Sequence, residues 1–109
     1  MTSTKPAHAK RAKLPRRSDR TSAFVKDWKR LSESGRYDMT RLKSVMALLI
    51  ANDGPLPAEW KDHPLKGNWS DHRECHVGGD FLLIYRLSGQ DDKEQVIFVR
   101  AGSHADLFE

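Results

Sequence analysis

Arg73-Glu74-Cys75-His76-Val77-Gly78-Gly79-Asp80-Phe81-Leu82-Leu83-Ile84-Tyr85-Arg86-Leu87 is the stretch whose reading decides the fold. Two strand-like runs flank Gly78-Gly79-Asp80, a tight-turn signal, so the stretch is expected to form a β-hairpin. Its second run, 81–87, is almost wholly apolar and belongs in the middle of a sheet with at least one covered face. The first run is read as a strand over 68–77. Alternation then puts His72, Glu74 and His76 on one face and Cys75 and Val77 on the other, the better candidate for core. A polar turn over 88–94 leads to a third run at 95–100, completing a three-strand meander.

Upstream of the meander the period changes from two to 3.6. Phe24, Trp28 and Leu31 recur at helical spacing, with Lys26, Asp27, Lys29 and Arg30 between them, behind Thr21 or Ser22 as cap and before Gly35 as stop. Leu42, Val45, Met46, Leu49 and Ile50 mark a second helix that opens at 38–40 and ends near Asn52, ahead of Asp53-Gly54-Pro55. The short link makes the two an antiparallel hairpin. Residues 56–67 read as an irregular loop, and 14–20 as a weak strand that Pro15 confines to a sheet edge. Ser103 is placed to cap a short terminal helix over 103–109. The expected class is α+β: a small sandwich with an N-terminal helical hairpin packed on a largely antiparallel sheet of three to five strands.

Composition narrows the function classes. With 109 residues the chain suits one domain, and 38% hydrophobic against 31% charged residues excludes disordered and fibrous classes. The longest apolar run, Val45–Ala51, is far too short to cross a bilayer, and no apolar stretch follows the basic residues of the first twenty, so neither a membrane span nor a secretory signal is expected. The single cysteine, Cys75, excludes an internal disulfide framework and a multi-thiolate metal site. These features read as a soluble, cytoplasmic protein. Seven of the 19 basic side chains fall in residues 1–20 against one acid, Asp19; the other 89 residues hold 12 basic and 14 acidic groups. Residues 1–13 therefore read as a basic, disordered leader, either a polyanion-binding arm or a solvated tail, ahead of a single domain over 14–109.

Histidine is the informative residue. Beyond His8 there are four, His63, His72, His76 and His104, all after the helical hairpin. Imidazole both takes and gives a proton near neutrality. Drawn from a loop, a strand and the segment after the last strand, these rings can converge on one groove. A metal site on His72 and His76 with Asp80 is disfavoured, because i, i+4 ligands on an extended strand lie about 13 Å apart. Cys75, facing the core, is not a nucleophile.

Three motifs in order, K-D-H-P-L-K-G (61–67), R-E-C-H-V-G-G-D-F-L-L-I-Y-R-L (73–87) and F-V-R-A-G-S-H-A-D-L-F (98–108), make residues 20–108 resemble the YafQ family. These are toxins of bacterial type II toxin–antitoxin systems within the RelE/ParE superfamily, and the resemblance implies a RelE-like fold. It also implies ribosome-dependent endonuclease activity against mRNA in the ribosomal A site, neutralised by a cognate RelB/DinJ-type antitoxin. The family's catalytic positions fall on His63, His76, Asp80 and His104, with Phe108 as a C-terminal active-site aromatic and Arg73 as a basic position able to hold phosphate. Phe81 stands where a relative has tryptophan, keeping an aromatic for stacking without the indole N–H. His72 has no counterpart.

That chemistry suits the inventory. RNA carries its own nucleophile, the 2′-OH, so no metal, cofactor or protein nucleophile is called for. A base, an acid for the 5′-oxygen and positive charge for the phosphorane suffice. His104 and Asp80 are expected to move protons, with His63 and His76 positioning or assisting, and the products are a 2′,3′-cyclic phosphate and a 5′-hydroxyl. Two competing readings remain: a ParE-like toxin that binds DNA gyrase without cutting, and a non-enzymatic RNA-binding module. The histidines argue against the first, and the scarcity of aromatics interleaved with basic residues argues against the second.

Overall fold

Thr21 and Asp38 set the two long helices. The computed structural model describes residues 14–108; the expected leader over 1–13 lies outside the described residues. Thr21 Oγ1 accepts the Phe24 N–H at 3.0 Å to start α1 (Ser22–Ser34), which ends on Gly35 at φ 70°. The Asp38 carboxylate accepts the Arg41 N–H at 3.0 Å to start α2 (Met39–Ala51), which ends on left-handed Asn52. Both helices match their expected bounds within about a residue.

Among the described residues the sheet has five strands: β1 (Arg17–Arg20), β2 (His63–Pro64), β3 (Arg73–Gly78), β4 (Phe81–Ser88) and β5 (Gln95–Ser103). Their order is β1-β5-β4-β3-β2, with β1 parallel to β5 and the other pairs antiparallel. The apolar β4 is central, as its composition requires. Its alternation divides the two faces. Leu83, Tyr85 and Phe81 join Cys75, Val77, Val96 and Phe98 beneath α1 and α2, where Phe24, Leu31, Leu42, Val45 and Leu49 close the main core. Leu82 and Ile84 point the other way, against Leu65, Trp69, Val99 and α3 (His104–Phe108), whose Leu107 is buried there.

Several expectations are corrected. The strand read over 68–77 starts only at Arg73, because Gly67–Trp69 is a single 3-10 turn and Asp71 is left-handed at φ 74°. The loop over 56–67 contains β2 and a 3-10 turn, Ala58–Trp60, that sinks Trp60 into the core. Asp27, read as part of the solvated face of α1, is 4% exposed. It accepts hydrogen bonds from Arg100 at 2.7 and 3.0 Å, the Ala101 N–H at 3.0 Å and Arg30 at 3.2 Å, so it pins α1 to the end of β5. Among the described residues no helix is long and apolar enough to cross a membrane.

Candidate active site

His63 owes its place to a polar lock beneath it. Asp62 takes a bidentate contact from Arg73, whose Nη2 lies at 2.7 Å and Nε at 3.2 Å, and it also accepts the Tyr85 hydroxyl hydrogen bond. These ties hold the chain against β3, where His63 stands opposite Glu74 in the antiparallel register. Paired residues of an antiparallel ladder point to the same face, so the imidazole lands beside the Glu74 carboxylate. The His63 Nδ1–H donates to the Lys61 carbonyl at 2.8 Å, which turns Nε2 toward Glu74 Oε2 at 3.4 Å. His76, two residues along β3 on the same face, brings its own Nε2 to 3.5 Å from that oxygen. Glu74 is 7% exposed, while the two rings, 6.1 Å apart, stand open to solvent in part.

His104 comes from the far side of the same face. His76, Leu82 and Gly102 form one row across the sheet, and the chain leaves β5 one residue after Gly102 to enter α3. Gly102 sits at φ 156°, and a Cβ there would meet the Asp106 carboxylate at 3.0 Å and Arg30 at 3.3 Å. Ser103 caps the helix as expected, its Oγ accepting the Asp106 N–H at 3.1 Å. The Ser103 N–H donates in return to Asp106, which, together with the neighbouring Arg30, holds that carboxyl below its usual range. Asp80 reaches over from the β3–β4 turn and accepts the His104 backbone N–H at 3.1 Å. The His104 ring packs on Phe108 at 4.9 Å, Phe108 on Trp69 at 5.9 Å and Trp69 on His72 at 5.2 Å. Asp80 also borders a cleft of about 610 Å³ whose walls include Arg36 and Arg41.

The structure thus gathers His63 and His76 around one carboxylate, and Asp80, His104 and Phe108 at the end of the same row. Two expected substrate contacts are held by partners within the protein. Arg73 points to the helix-covered side, and its guanidinium is committed to Asp62, whose hydrogen bonds push its pKa up. Phe81 is 5% exposed under the Tyr37 ring, 4.9 Å away, because it shares the parity of Leu83 and Tyr85. Cys75 is fully buried, and desolvation pushes its thiol up to about 12, which keeps it out of nucleophilic chemistry. Glu74 and Trp69 were not singled out from the sequence. Alternation already put Glu74 beside His76, whereas nothing local marked Trp69. His63, Glu74 and His76 each offer a ligand atom, all within 4.8 Å of one another, so these three could hold a metal ion.

Residues 16–109 match the family described as a bacterial toxin of type II toxin–antitoxin systems, YafQ. The mRNA interferase toxin YafQ of Escherichia coli K12 is 44% identical over 85 residues, 78% of this chain and 87% of that protein. The crystal structure of the E. coli DinJ–YafQ toxin–antitoxin complex contains a chain 42% identical, with a TM-score of 0.76, over 88% of this chain and all of the other. A metal-bound toxin from Helicobacter pylori is 39% identical with a TM-score of 0.72, covering 84% of this chain and 98% of that one.

Proposed function

The chain belongs to the YafQ family of bacterial type II toxins, and from that premise we propose how its open sheet face cuts RNA. It is an mRNA interferase restrained by an antitoxin, and a DinJ-type protein is its partner. The observation that carries the catalytic reading is the meeting of His63 and His76 on Glu74, on the face where the row His76–Leu82–Gly102 leads to His104 and Asp80.

The two ends of that row are chemically unlike. At one end the Glu74 carboxylate holds the rings of His63 and His76 in place, and this end takes the 2′-OH proton. At the other end the Asp80 carboxylate is engaged by a backbone N–H rather than by a ring, so it positions His104, which is exposed and delivers its proton to the departing 5′-oxygen. The 2′-oxygen bonds to phosphorus, the P–O5′ bond breaks, and a 2′,3′-cyclic phosphate and a 5′-hydroxyl result. Imidazolium charge, with Arg36 and Arg41 in the adjoining cleft, faces the phosphorane and the backbone beyond it. Phe108 and Trp69 offer ring faces on which bases stack.

The body carries no excess of positive charge, which fits a nuclease whose mRNA is delivered in the ribosomal A site, in the cytoplasm. The test adds the purified chain to mRNA with and without programmed ribosomes and maps the 5′ ends. Cuts bearing 5′-hydroxyls that appear only with ribosomes are expected. Equal cutting of free RNA would overturn the ribosome's role, and growth arrest with intact transcripts would favour the gyrase reading.

A further inference from the structure

The helix that begins at His104, α3, is five residues long, little more than one turn, and a helix so short does not hold itself in water. The reciprocal Ser103–Asp106 hydrogen bonds close its first turn but tie it to nothing else. Its place on the open face therefore rests on anchors from outside. Leu107 is one, buried against Leu82 and Ile84, and the Asp80 carboxylate on the His104 N–H is another. A further one comes from the opposite side of the sheet.

Arg30, in α1, reaches past the end of β5. Its Nη1 donates to the Asp106 carboxylate at 3.2 Å and its Nη2 to the Asp27 carboxylate at 3.2 Å. Asp27 is buried and already held by Arg100 and the Ala101 N–H, so it is a fixed point. A continuous line of hydrogen bonds runs from Asp27 through Arg30 and Asp106 to Ser103, the residue before His104. Gly102 keeps the way clear: a Cβ there would stand 3.0 Å from the Asp106 carboxylate and 3.3 Å from Arg30 Nη2. With a carboxylate at each of its two ends, the guanidinium is spent inside the protein rather than offered to a phosphate.

We propose that Arg30 is a positioning residue for His104: by joining Asp106 to Asp27 it fixes the start of α3, and with it the ring that gives up the proton. The kinetic part rests on the catalytic reading above; the positional part does not. An ion pair as exposed as Arg30–Asp106, 46% and 34%, adds little to stability, whereas a displacement of about 1 Å at a reacting group costs about 10²-fold. In the ribosome assay under single-turnover conditions, Arg30→Ala and the longer Arg30→Met are both expected to lower the maximal rate at least about tenfold. The ribosome concentration at half-saturation should be unchanged, and the thermal midpoint should stay within about 4–8 °C of wild type. Added to His104→Ala, Arg30→Ala is expected to cost nothing further, because it acts through that ring. A maximal rate per folded molecule equal to wild type, or a full additional loss in the double variant, would overturn the proposal. The position itself is read by proton NMR of the full chain. Phe108, 4.9 Å away, shifts the His104 ring protons, and Arg30→Ala is expected to move them toward the values of a free histidine. Ring signals unchanged in Arg30→Ala would overturn the positioning whatever the rates. A fully active His104→Ala would count against the catalytic reading, and the ring signals would then decide the position alone.

Discussion

The two faces of the sheet use the same residue types for opposite ends. On the helix-covered face, Asp62 is enclosed by Arg73 and Tyr85, and Asp27 by Arg100, Arg30 and a backbone N–H. Each carboxylate there spends its oxygens on donors inside the protein, which fixes helices and loops to strands. On the open face Glu74 meets two imidazoles whose rings still reach solvent, and His104 stands on an exposed helix start. A satisfied polar group supports structure; one held in place with valences left over can do chemistry. Arg73 and Glu74 are adjacent in the chain and fall on different sides of this division because a strand alternates.

The largest effect separating the faces should come from His104. Its replacement by alanine removes a proton-transfer group and is expected to lower ribosome-dependent cleavage by about 10²–10⁴-fold. Since the ring is exposed, the thermal midpoint should hold, a surface substitution being worth about 0.5 kcal/mol or less. Cleavage kinetics beside a melting curve check both halves, and an active His104→Ala would remove the residue from the mechanism.

Asp27 should behave in the opposite way. Burial by itself would push its carboxyl up, but the hydrogen bonds from Arg100, Ala101 and Arg30 outweigh it and hold the carboxyl below its ordinary range. A depressed folded-state value gives stability that is present in full above the unfolded carboxyl value, about 3.9, and is lost as pH falls through the folded one. Asp27→Asn is expected to cost about 3 kcal/mol at neutral pH, the order seen when one partner of a buried pair is removed. The gap in melting temperature between wild type and variant should close as pH drops below about 4. A gap that stays constant with pH would mean that packing, not charge, holds α1 to β5.

What was legible in the sequence follows the range of the interactions. The caps at Thr21 and Ser103, the opening of the second helix at 38–40, the Gly78-Gly79 hairpin and the alternation of 73–77 are local, and the structure agrees with each. Asp27 looked solvated because only its distant partner, Arg100, explains its burial. The pairing of His63 with Glu74 depends on Asp62 finding Tyr85, 23 residues away. The family resemblance pointed to His63, His76 and His104, yet it could not say that Glu74 joins the first two. Phe81 shows a signal present but unread: its parity with Leu83 and Tyr85 already assigns it to the core.

Arg73 offers the smallest and sharpest test, because sequence and structure give it different work. As a phosphate ligand it would act through charge, and lysine would largely replace it. As the anchor of Asp62 it acts through a planar fork that meets both carboxylate oxygens, which an ammonium cannot reproduce. The guanidinium is 35% exposed, so solvent screens part of the pair and the expected cost of Arg73→Lys is about 1 kcal/mol. In a fold of this size that is a drop of about 4–8 °C in the thermal midpoint. Cleavage by the protein that remains folded should keep its salt dependence, because the charge count on the RNA-facing surface is unchanged. An unaltered midpoint with weakened RNA binding would return Arg73 to the substrate and blur the division between the faces.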